Sequence, residues 1–401
     1  MKIKSIRQVK NLKGKKVFLR ADFNVPMENG KIKDDYKMAA TLPTIRFLLR
    51  YKCKVIIATH LKINQKLSRR RRDKNQKYNS IKPIALYLGG LLDKKIKFVN
   101  DCVGAKVEKS VNKMKEGYIL MLENLRFYDG EKNNDKKFAR DLAALADICV
   151  NDAFAASHRA HASVSAIKKY LPVFAGLLLE KEILNLNKIL KPKKPLVTII
   201  GGAKISTKLP LLKNLLKKTE HILVGGALAN NFLAAKGYKT GRSLVSDENA
   251  GEAKKISLRA GEKIVLPIDV IVGGKKNGGG KVKHRKIKKI DKNDIILDIG
   301  PETIRYYANF IRRAKTIIWN GPMGMFETEH FRHGTLAVAR IVAARSQGAA
   351  FGAVGGGETI EALKMTKMSD YVDWISTGGG AMLAYLGGER MPGLEGIVKY
   401  K

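Results

Sequence analysis

The stretch Leu196-Val-Thr-Ile-Ile-Gly-Gly-Ala-Lys-Ile-Ser-Thr-Lys208 contains the pattern that decides the fold of this chain. Its first five residues are apolar or β-branched, and such a run is typical of a strand that is buried on both faces. Two glycines follow, and the chain then continues into a longer amphipathic stretch. The same succession recurs along the whole sequence. It predicts parallel sheets that are covered by helices on both faces, and so an α/β protein.

The length of 401 residues is too great for one ordinary core, so two domains are expected. The segment 175–190, bounded by Gly176 and Pro192, predicts one amphipathic helix that joins them. We place an N-terminal domain at 1–174 and a C-terminal domain at 191–387, with the tail 388–401 packing back on the first. The predicted strands lie at 16–23, 53–59, 118–122, 147–150, 196–200, 221–224, 264–272, 295–299, 316–319, 349–354 and 371–376.

The chain is strongly basic, with 77 Lys and Arg residues against 36 Asp and Glu, a formal net charge of +41. Such an excess favours polyanions, phosphorylated substrates or RNA through the long-range field. Much of it lies in basic loops such as 69–72 and 281–292, where a solvated surface is the simpler explanation. We therefore expect non-specific binding to nucleic acid at low salt.

Several other classes of protein are disfavoured. No run of 18 or more apolar residues is present, and the N-terminus lacks the apolar stretch of a signal peptide. The cysteines Cys53, Cys102 and Cys149 are scattered and odd in number, so they fit neither a disulfide framework nor a CxxC metal site. We expect buried free thiols in a cytoplasmic protein that makes no contact with a membrane.

The residues that follow the predicted strands differ between the two halves. Ligands of parallel sheets bind beyond the carboxyl ends of the strands, so these residues indicate the ligands. Arginines and histidines follow the strands of the first half, and this set suits a compact anion because arginine binds carboxylate and phosphate bidentately. Any one of them alone is more often a surface group. The set comprises Arg20, His60, Arg126, His158, Arg159 and His161. A histidine metal site has no support, because carboxylate ligands other than Asp152 are absent nearby.

Glycine clusters follow the strands of the second half, as at 201–202, 225–226, 355–357 and 378–380. Glycine allows the backbone to approach a phosphate, and the N-terminus of the next helix supplies N–H donors. Neither GxxxxGK[ST] nor an opening GxGxxG is present, which excludes a P-loop enzyme and weakens a dinucleotide dehydrogenase.

Charged residues beside these glycines have two explanations each. Lys204 and Lys208 lie on one helix face and can neutralise a transferring phosphoryl group, although Lys208 also fits a solvated face. Glu358 fits a magnesium ligand and a helix-capping acid equally well. Glu327 could accept hydrogen bonds from ribose hydroxyls, with Asn320 and Pro322 lining the nucleotide.

Eight longer motifs, which cover nearly the whole chain in order, together resemble the phosphoglycerate kinase family. They are RADFNVP at 20–26, LPTI at 42–45, LENLRF at 122–127, VNDAFAASHRAHAS at 150–163, GGAKISTK at 201–208, WNGPMGMFE at 319–327, GGGET at 355–359 and STGGGA at 376–381. The resemblance implies two Rossmann-like domains joined by a helix and hinge, a monomer, and a glycolytic kinase with a carboxyl group as acceptor. It further implies direct phosphoryl transfer between 1,3-bisphosphoglycerate with ADP and 3-phosphoglycerate with ATP, with Mg²⁺ as cofactor.

The resemblance also implies residue roles by position. Phosphoglycerate would be bound by Arg20, Asp22, Asn24, Lys37, His60, Arg126 and Arg159. The nucleotide would be bound by Gly202, Ala203, Lys204, Lys208, Gly225, Gly226, Asn320, Pro322, Gly324, Glu327, Gly357, Glu358 and Thr359. Glu358 would hold the metal. Charge neutralisation in the transition state would come from Lys204, Lys37 and the backbone at Gly357 and Gly380.

Three positions depart from the family pattern. Lys37 stands where the family has an arginine, and Ile63 replaces a second one, although Lys62 or the loop 69–72 could supply the missing charge. Glu358 replaces an aspartate. Two alternatives therefore remain: a substrate-altered or inactive relative that binds nucleic acid, and a kinase that acts on a different small acid.

Overall fold

The computed structural model describes residues 2–62, 79–203, 206–275 and 280–399. The predicted residues Ile63, the loop 69–72 and Lys204 lie outside this described part. The chain divides into two compact units: one runs through Ile183 and also contains the C-terminal segment from Arg390, and the other is Leu184–Glu389. Each unit contains a six-stranded parallel sheet with helices, so the predicted α/β class is confirmed.

The sheet of the first unit has the strand order β6-β7-β5-β2-β8-β9, and every pairing in it is parallel. The strands of this unit are β1 Lys2–Ile3, β2 Lys16–Arg20, β3 Met27–Glu28, β4 Lys31–Ile32, β5 Lys54–Ala58, β6 Ile96–Phe98, β7 Ile119–Met121, β8 Ile148–Asn151 and β9 Val173–Ala175. Its helices are α1 Tyr36–Arg50, α2 Lys82–Leu92, α3 Ala105–Asn112, α4 Asp129–Lys132 and α5 Lys136–Ala143.

The core of this unit follows from the helical period of α1. Met38, Leu42, Ile45 and Leu48 are buried along one face of that helix, at the spacing that faces a sheet. They belong to the same apolar cluster as Val55 of β5 and its neighbours. This packing holds the carboxyl ends of the central strands in place.

The sheet of the second unit has the order β12-β11-β10-β16-β17-β18 and is also parallel throughout. The strands of this unit are β10 Leu196–Ile200, β11 His221–Val224, β12 Ile264–Val265, β13 Asp269–Gly273, β14 Lys283–Lys286, β15 Ile295–Ile299, β16 Thr316–Asn320, β17 Phe351–Gly355 and β18 Trp374–Ser376. The helices from the linking helix onward are α6 Leu177–Leu190, α7 Leu209–Leu215, α8 Gly226–Ala235, α9 Asp247–Ala260, α10 Pro301–Arg313, α11 His333–Ser346, α12 Gly357–Met365 and α13 Gly379–Leu386.

One predicted strand, 264–272, is wrong. It is divided into β12 and β13, with Pro267 between them, because proline has no N–H to continue the hydrogen-bond ladder. After this break the chain leaves the parallel sheet, and β13 pairs antiparallel with both β14 and β15. The predicted strand 295–299 is present as β15, but it belongs to this smaller antiparallel sheet instead of a parallel one.

The helix predicted at 175–190 begins two residues later, at Leu177. Ala175 is still part of β9, where it pairs with Asn151. The carboxylate of Asp152 then accepts hydrogen bonds from the N–H groups of Leu178 and Leu179, both at 3.0 Å. A buried acceptor therefore satisfies the first turn and marks the start of the helix.

The C-terminal segment packs on the first unit. Its strand β19, Val398–Lys399, pairs antiparallel with β1. The N–H of Gly393 donates to the carbonyl of Ser157 at 2.8 Å, and the Asn151 amide donates to the carbonyl of Gly393 at 3.1 Å. Among the described helices, none is long and apolar enough to cross a bilayer.

Candidate active site

The first candidate site lies at the carboxyl ends of β2, β5, β7 and β8, which are neighbours in their sheet. Arg20 is the last residue of β2, and His60 follows β5 by two residues. Since parallel strands end at the same edge, the topology brings these side chains together. Nη2 of Arg20 and Nδ1 of His60 are 3.2 Å apart. We use the name basic cluster for Arg20 and His60 together with the other predicted phosphoglycerate residues, which are Asp22, Asn24, Lys37, Arg126 and Arg159.

Arg20 is fully buried within the basic cluster. Its Nε donates to Oγ of Ser163 at 2.7 Å, and its Nη1 donates to the carbonyl of Ala21 at 2.6 Å. Nη2 lies 3.5 Å from Oε1 of Glu131, and neither of these two side chains has exposed surface. These contacts are those of a guanidinium that orients its neighbours. A direct contact between Arg20 and a substrate stays a prediction.

Glu131 is a member of the cluster that the sequence did not indicate. It accepts hydrogen bonds from the backbone N–H of Ser163 at 3.0 Å and from its hydroxyl at 2.6 Å. Its Oε1 is also 3.9 Å from Nδ1 of His161, whose pKa falls to about 3 because of burial and the nearby Arg126. Glu131 lies in a run of charged residues, so its pattern is that of a surface helix and nothing in it signals burial.

Asp22 and Lys37 form an ion pair at the edge of the cluster, with Nζ 2.7 Å from Oδ2. Burial acts to raise the pKa of Asp22, but nearby positive charge, above all that of Lys37, outweighs this effect, and the pKa lies below its ordinary value. Burial, together with the positive charge of Arg20, lowers the pKa of His60 to about 3. The imidazole is therefore neutral at neutral pH, and it can act as a hydrogen-bonding group but not as a cation.

The remaining predicted phosphoglycerate residues are Asn24, Arg126 and Arg159. Oδ1 of Asn24 accepts the N–H of Lys62 at 2.9 Å. Arg126 is half-buried, and its Nε has no hydrogen-bond partner within the described ranges. Burial and the charge of Arg159 lower the pKa of Arg126, while Arg159 itself is exposed and donates to Nε2 of His158 at 3.0 Å. The cluster thus holds guanidinium donors ready for a compact anion.

The second candidate site is a cavity of about 310 Å³ in the second unit. This volume is at the lower end of the range for small-molecule sites, roughly 300–1,000 Å³. We call it the nucleotide cavity. The predicted nucleotide residues that line it are Gly202, Ala203, Gly226, Pro322, Gly324, Glu327 and Glu358.

Close backbone contacts between three loops form one wall of the cavity. The N–H of Gly202 donates to the carbonyl of Pro322 at 2.8 Å, and the N–H of Gly226 donates to that of Met323 at 2.7 Å. Gly226 has φ +61°, and a Cβ there would lie 2.6 Å from the backbone N of Gly202. At Gly225 a Cβ would lie 2.5 Å from Sδ of Met323. Only glycine fits at these positions, which explains the paired glycines after β11.

Lys208 is buried, so the explanation of a solvated helix face is wrong for it. Its Nζ donates to the carbonyl of Gly201. Burial lowers the pKa of the amine to about 8, although the charge of Glu358 opposes this shift. Lys208 therefore lies beside the glycine loop of the cavity, close enough to Glu358 for their charges to interact.

Asn320 and Thr359 secure the loops of the cavity. The Asn320 amide donates to the carbonyl of Gly355 at 2.7 Å. The hydroxyl of Thr359 accepts the N–H of Gly321 at 2.7 Å. These bonds join the ends of β16 and β17 to the start of α12.

Two helix N-termini meet beside these loops. Helix α12 begins at Gly357, and α13 begins at Gly379, with Gly380 in its first turn. A Cβ on Gly379 would lie 2.7 Å from the Cα of Gly356, so the two helix starts are in contact. The first N–H groups of a helix have no partner within it, and together with the helix dipole they favour phosphate.

The donor set around Glu358 fits a magnesium ion. Its carboxylate is exposed and lines the cavity, and a Cβ built on Gly202 would lie 3.9 Å from Oε2. Mg²⁺ is commonly held by one or two carboxylates, with substrate phosphates and waters completing its shell. One carboxylate beside a phosphate loop meets that requirement.

Another group of possible metal ligands, Asp269, His284 and Glu302, places its ligand atoms within 4.8 Å of one another. The Asp269 carboxylate is already used, since it accepts hydrogen bonds from the N–H groups of Glu302 and Thr303 at 3.0 and 2.6 Å. Its Oδ2 is also 2.7 Å from Nε2 of His284. These bonds cap the N-terminus of α10, so a structural role accounts for why the three side chains lie close together.

Two polar residues of the cavity wall, Asn230 and Asp298, were not assigned to the site from the sequence. The Asp298 carboxylate accepts the N–H groups of Gly334 and Ile299 at 2.7 and 2.9 Å, and burial raises its pKa to about 8. Asn230 lies one turn inside α8. The glycine signal marks only the loops after strands, and it does not reach residues further along a helix.

A kinase that passes phosphate between two ligands needs an anion site for the acceptor and a phosphate-binding cavity for the donor. The basic cluster has the character of the first and the nucleotide cavity has that of the second, as expected of an α/β kinase that transfers phosphate. The family model described as phosphoglycerate kinase matches residues 6–389. The chain belongs to the phosphoglycerate kinase family, as its motifs predicted.

Individual relatives and a solved structure support the assignment to this family. A protein named phosphoglycerate kinase from Desulfosudis oleivorans is 44% identical over 401 residues, with 98% of each chain covered. One of the same name from Moorella thermoacetica is 43% identical over 392 residues, with 97% of each covered. The structure of phosphoglycerate kinase from Coxiella burnetii matches with a TM-score of 0.85 at 38% identity, and 98% of each chain is covered. None of these comparisons supports the alternative of an inactive, nucleic-acid-binding relative.

Proposed function

We propose that this chain catalyses reversible phosphoryl transfer from 1,3-bisphosphoglycerate to ADP, and from ATP to the carboxyl group of 3-phosphoglycerate in the other direction. The observation that carries the proposal is the basic cluster. Arg126 is close enough to His60 and Asp22 for their charges to interact, Arg159 is close enough to Arg126 for the same, and Lys37 is paired with Asp22. Bidentate donors of this kind suit a ligand with a carboxylate and a phosphate on one short chain.

The nucleotide would occupy the cavity of the second unit. Its phosphates would face the N-termini of α12 and α13, and Lys208 would contribute its charge beside them. Lys204, predicted from the sequence to neutralise the phosphoryl group in transit, is part of the proposal. Glu358 would hold Mg²⁺, which supplies charge neutralisation on the phosphate oxygens when it is bound.

Catalysis would therefore come from positioning and electrostatic stabilisation, without a covalent enzyme intermediate. A transferring phosphoryl group carries its charge on equatorial oxygens, and fixed N–H donors and lysine ammonium groups stabilise that charge. Transfer also requires the two ligands to meet, and closure about a hinge, which would exclude water, is part of the proposal.

A coupled assay tests the proposal: 3-phosphoglycerate and MgATP are supplied, and formation of 1,3-bisphosphoglycerate is followed through its reduction by a dehydrogenase. Turnover that depends on both substrates and on Mg²⁺ is the expected result. Lys208→Met, purified in the same way, is the matched control, because a contaminating host enzyme would give equal rates in both preparations. Folded protein without turnover at millimolar substrate would overturn the proposal.

A further inference from the structure

The wall of the nucleotide cavity contains a buried amide that the proposed mechanism does not use. Helix α8 contributes five residues to the lining of the cavity: Gly226, Ala227, Ala229, Asn230 and Leu233. Four of these five residues have no polar side-chain group. Asn230 is therefore the exception on a face that is otherwise built of small and apolar residues.

The Asn230 amide has no hydrogen bonds with the described part of the chain, neither through Oδ1 nor through Nδ2, although the residue is only 1% exposed. Its neighbour Asn231 is equally buried, yet that amide donates to the carbonyl of Ala227 at 3.0 Å and accepts the N–H of Ser246 at 3.3 Å. An unpaired buried donor or acceptor lowers stability. The contrast indicates that Asn231 serves the fold and that Asn230 serves a ligand.

We infer that Asn230 recognises the base of the bound nucleotide, an inference that rests on the proposed function. An amide offers one acceptor and two donors, which match the 6-amino group and the adjacent ring nitrogen of adenine. The cavity is also lined by Gly202 and Glu358, beside which the phosphates are proposed to bind. Asn230 lies about 6 Å further along α8 than Gly226, at 1.5 Å per residue, and this displacement leads away from the phosphate loops.

The lack of hydrogen bonds between the Asn230 amide and the described residues also determines which purines the amide can recognise. Because no described residue fixes the orientation of the Asn230 amide, the group can rotate by 180° and exchange its donor and acceptor. A 6-oxopurine such as hypoxanthine, which has an acceptor at position 6 and a donor at N1, is then recognised as well as adenine. A purine that has no substituent at position 6 loses one of the two bonds in either orientation.

Calorimetric titration of the full chain with MgADP, MgIDP and the magnesium complex of purine riboside 5′-diphosphate tests the inference. In the unmodified chain ADP and IDP should bind within about threefold of each other, and the 6-unsubstituted nucleotide should bind about tenfold more weakly. In Asn230→Leu, ADP and IDP should each lose about a hundredfold in affinity and the 6-unsubstituted nucleotide about tenfold, so that all three nucleotides bind alike. The Tm of this variant should not fall, because an unpaired buried amide is replaced by an apolar group.

Asn231→Leu is the matched control. It removes a bonded amide, so its Tm should fall while the order of the three affinities is kept. Asn230→Ala provides the same comparison if the leucine variant does not fold. The inference is overturned if either Asn230 variant keeps the preference for 6-substituted purines. If the affinities follow the expected pattern but the unmodified chain does not turn over 3-phosphoglycerate, the proposed function fails instead.

Discussion

The basic cluster and the nucleotide cavity differ in the kind of group that each presents to an anion. In the basic cluster the charges are on side chains, and the buried Arg20 has Glu131 at 3.5 Å as its counter-charge. Beside the cavity the groups available to an anion are mainly backbone N–H groups at the starts of α12 and α13, with Lys208 as a buried cation next to the glycine loop. Side chains can be exchanged one at a time at a graded cost, whereas a backbone site depends on glycines that admit no Cβ.

The largest effect should come from breaking the buried pair of the basic cluster. Glu131→Leu leaves the fully buried guanidinium of Arg20 without its carboxylate, and such a change costs about 3–5 kcal/mol. Urea denaturation should show this loss in the free energy of unfolding. Glu358→Gln, which removes an exposed carboxylate from the cavity, should change it by no more than about 0.5 kcal/mol.

The double variant Glu131→Leu with Arg20→Met should recover part of the lost stability, since the uncompensated charge is gone. A loss below about 1 kcal/mol in Glu131→Leu alone would show that other groups compensate Arg20. The contrast between a cluster held by paired charges and a cavity held by backbone would then be wrong.

The next largest effect should come from Lys208, the buried lysine beside the glycine loop of the cavity. Lys208→Met should lower kcat by about 100- to 1,000-fold, the range found when one preorganised donor to a developing charge is removed. The Kd for MgADP should rise far less, because the ammonium matters most while the phosphoryl group is in transit. Steady-state kinetics and calorimetry measure the two quantities. A tenfold or smaller change in kcat would assign Lys208 to binding or to folding.

The pH dependence of kcat/KM provides a smaller effect at the same residue. The pKa of Lys208 is lowered to about 8, so its charge is present below pH 8 and is lost as the pH rises above it. The kcat/KM for ADP should then fall about tenfold per pH unit above pH 8, as for one ionising group in the free enzyme. In Lys208→Met this limb should be absent. An unchanged kcat/KM up to pH 9.5 in the unmodified chain would contradict the assignment.

The α/β class could be predicted from the sequence, because the strands of a buried parallel sheet consist of unbroken runs of apolar residues. The sequence did not predict the antiparallel sheet, because the apolar run 264–272 has the pattern of one strand although it contains Pro267, which ends the hydrogen-bond ladder. For the sites, the sequence indicated residues at strand ends and did not indicate residues on packed faces. Asn230 and Glu131 belong to their sites only through tertiary packing, and no short-range pattern marks a polar residue that the fold buries.

The smallest effect should come from restoring an arginine at position 63, which lies outside the described residues. An added guanidinium can form a charge-assisted hydrogen bond to 3-phosphoglycerate, worth roughly 1.5–3 kcal/mol. If the basic cluster is simply one donor short, Ile63→Arg should lower the KM for 3-phosphoglycerate by about tenfold, with kcat little changed. If the loop 69–72 already supplies the charge, KM should stay constant, and replacing its four arginines by serine should raise it. The KM for ADP is the internal control, because the nucleotide is proposed to bind the other unit. Should neither change move the KM for 3-phosphoglycerate, the segment after His60 does not belong to the basic cluster, and of the two replaced arginines only the one at Lys37 would affect the binding of this substrate.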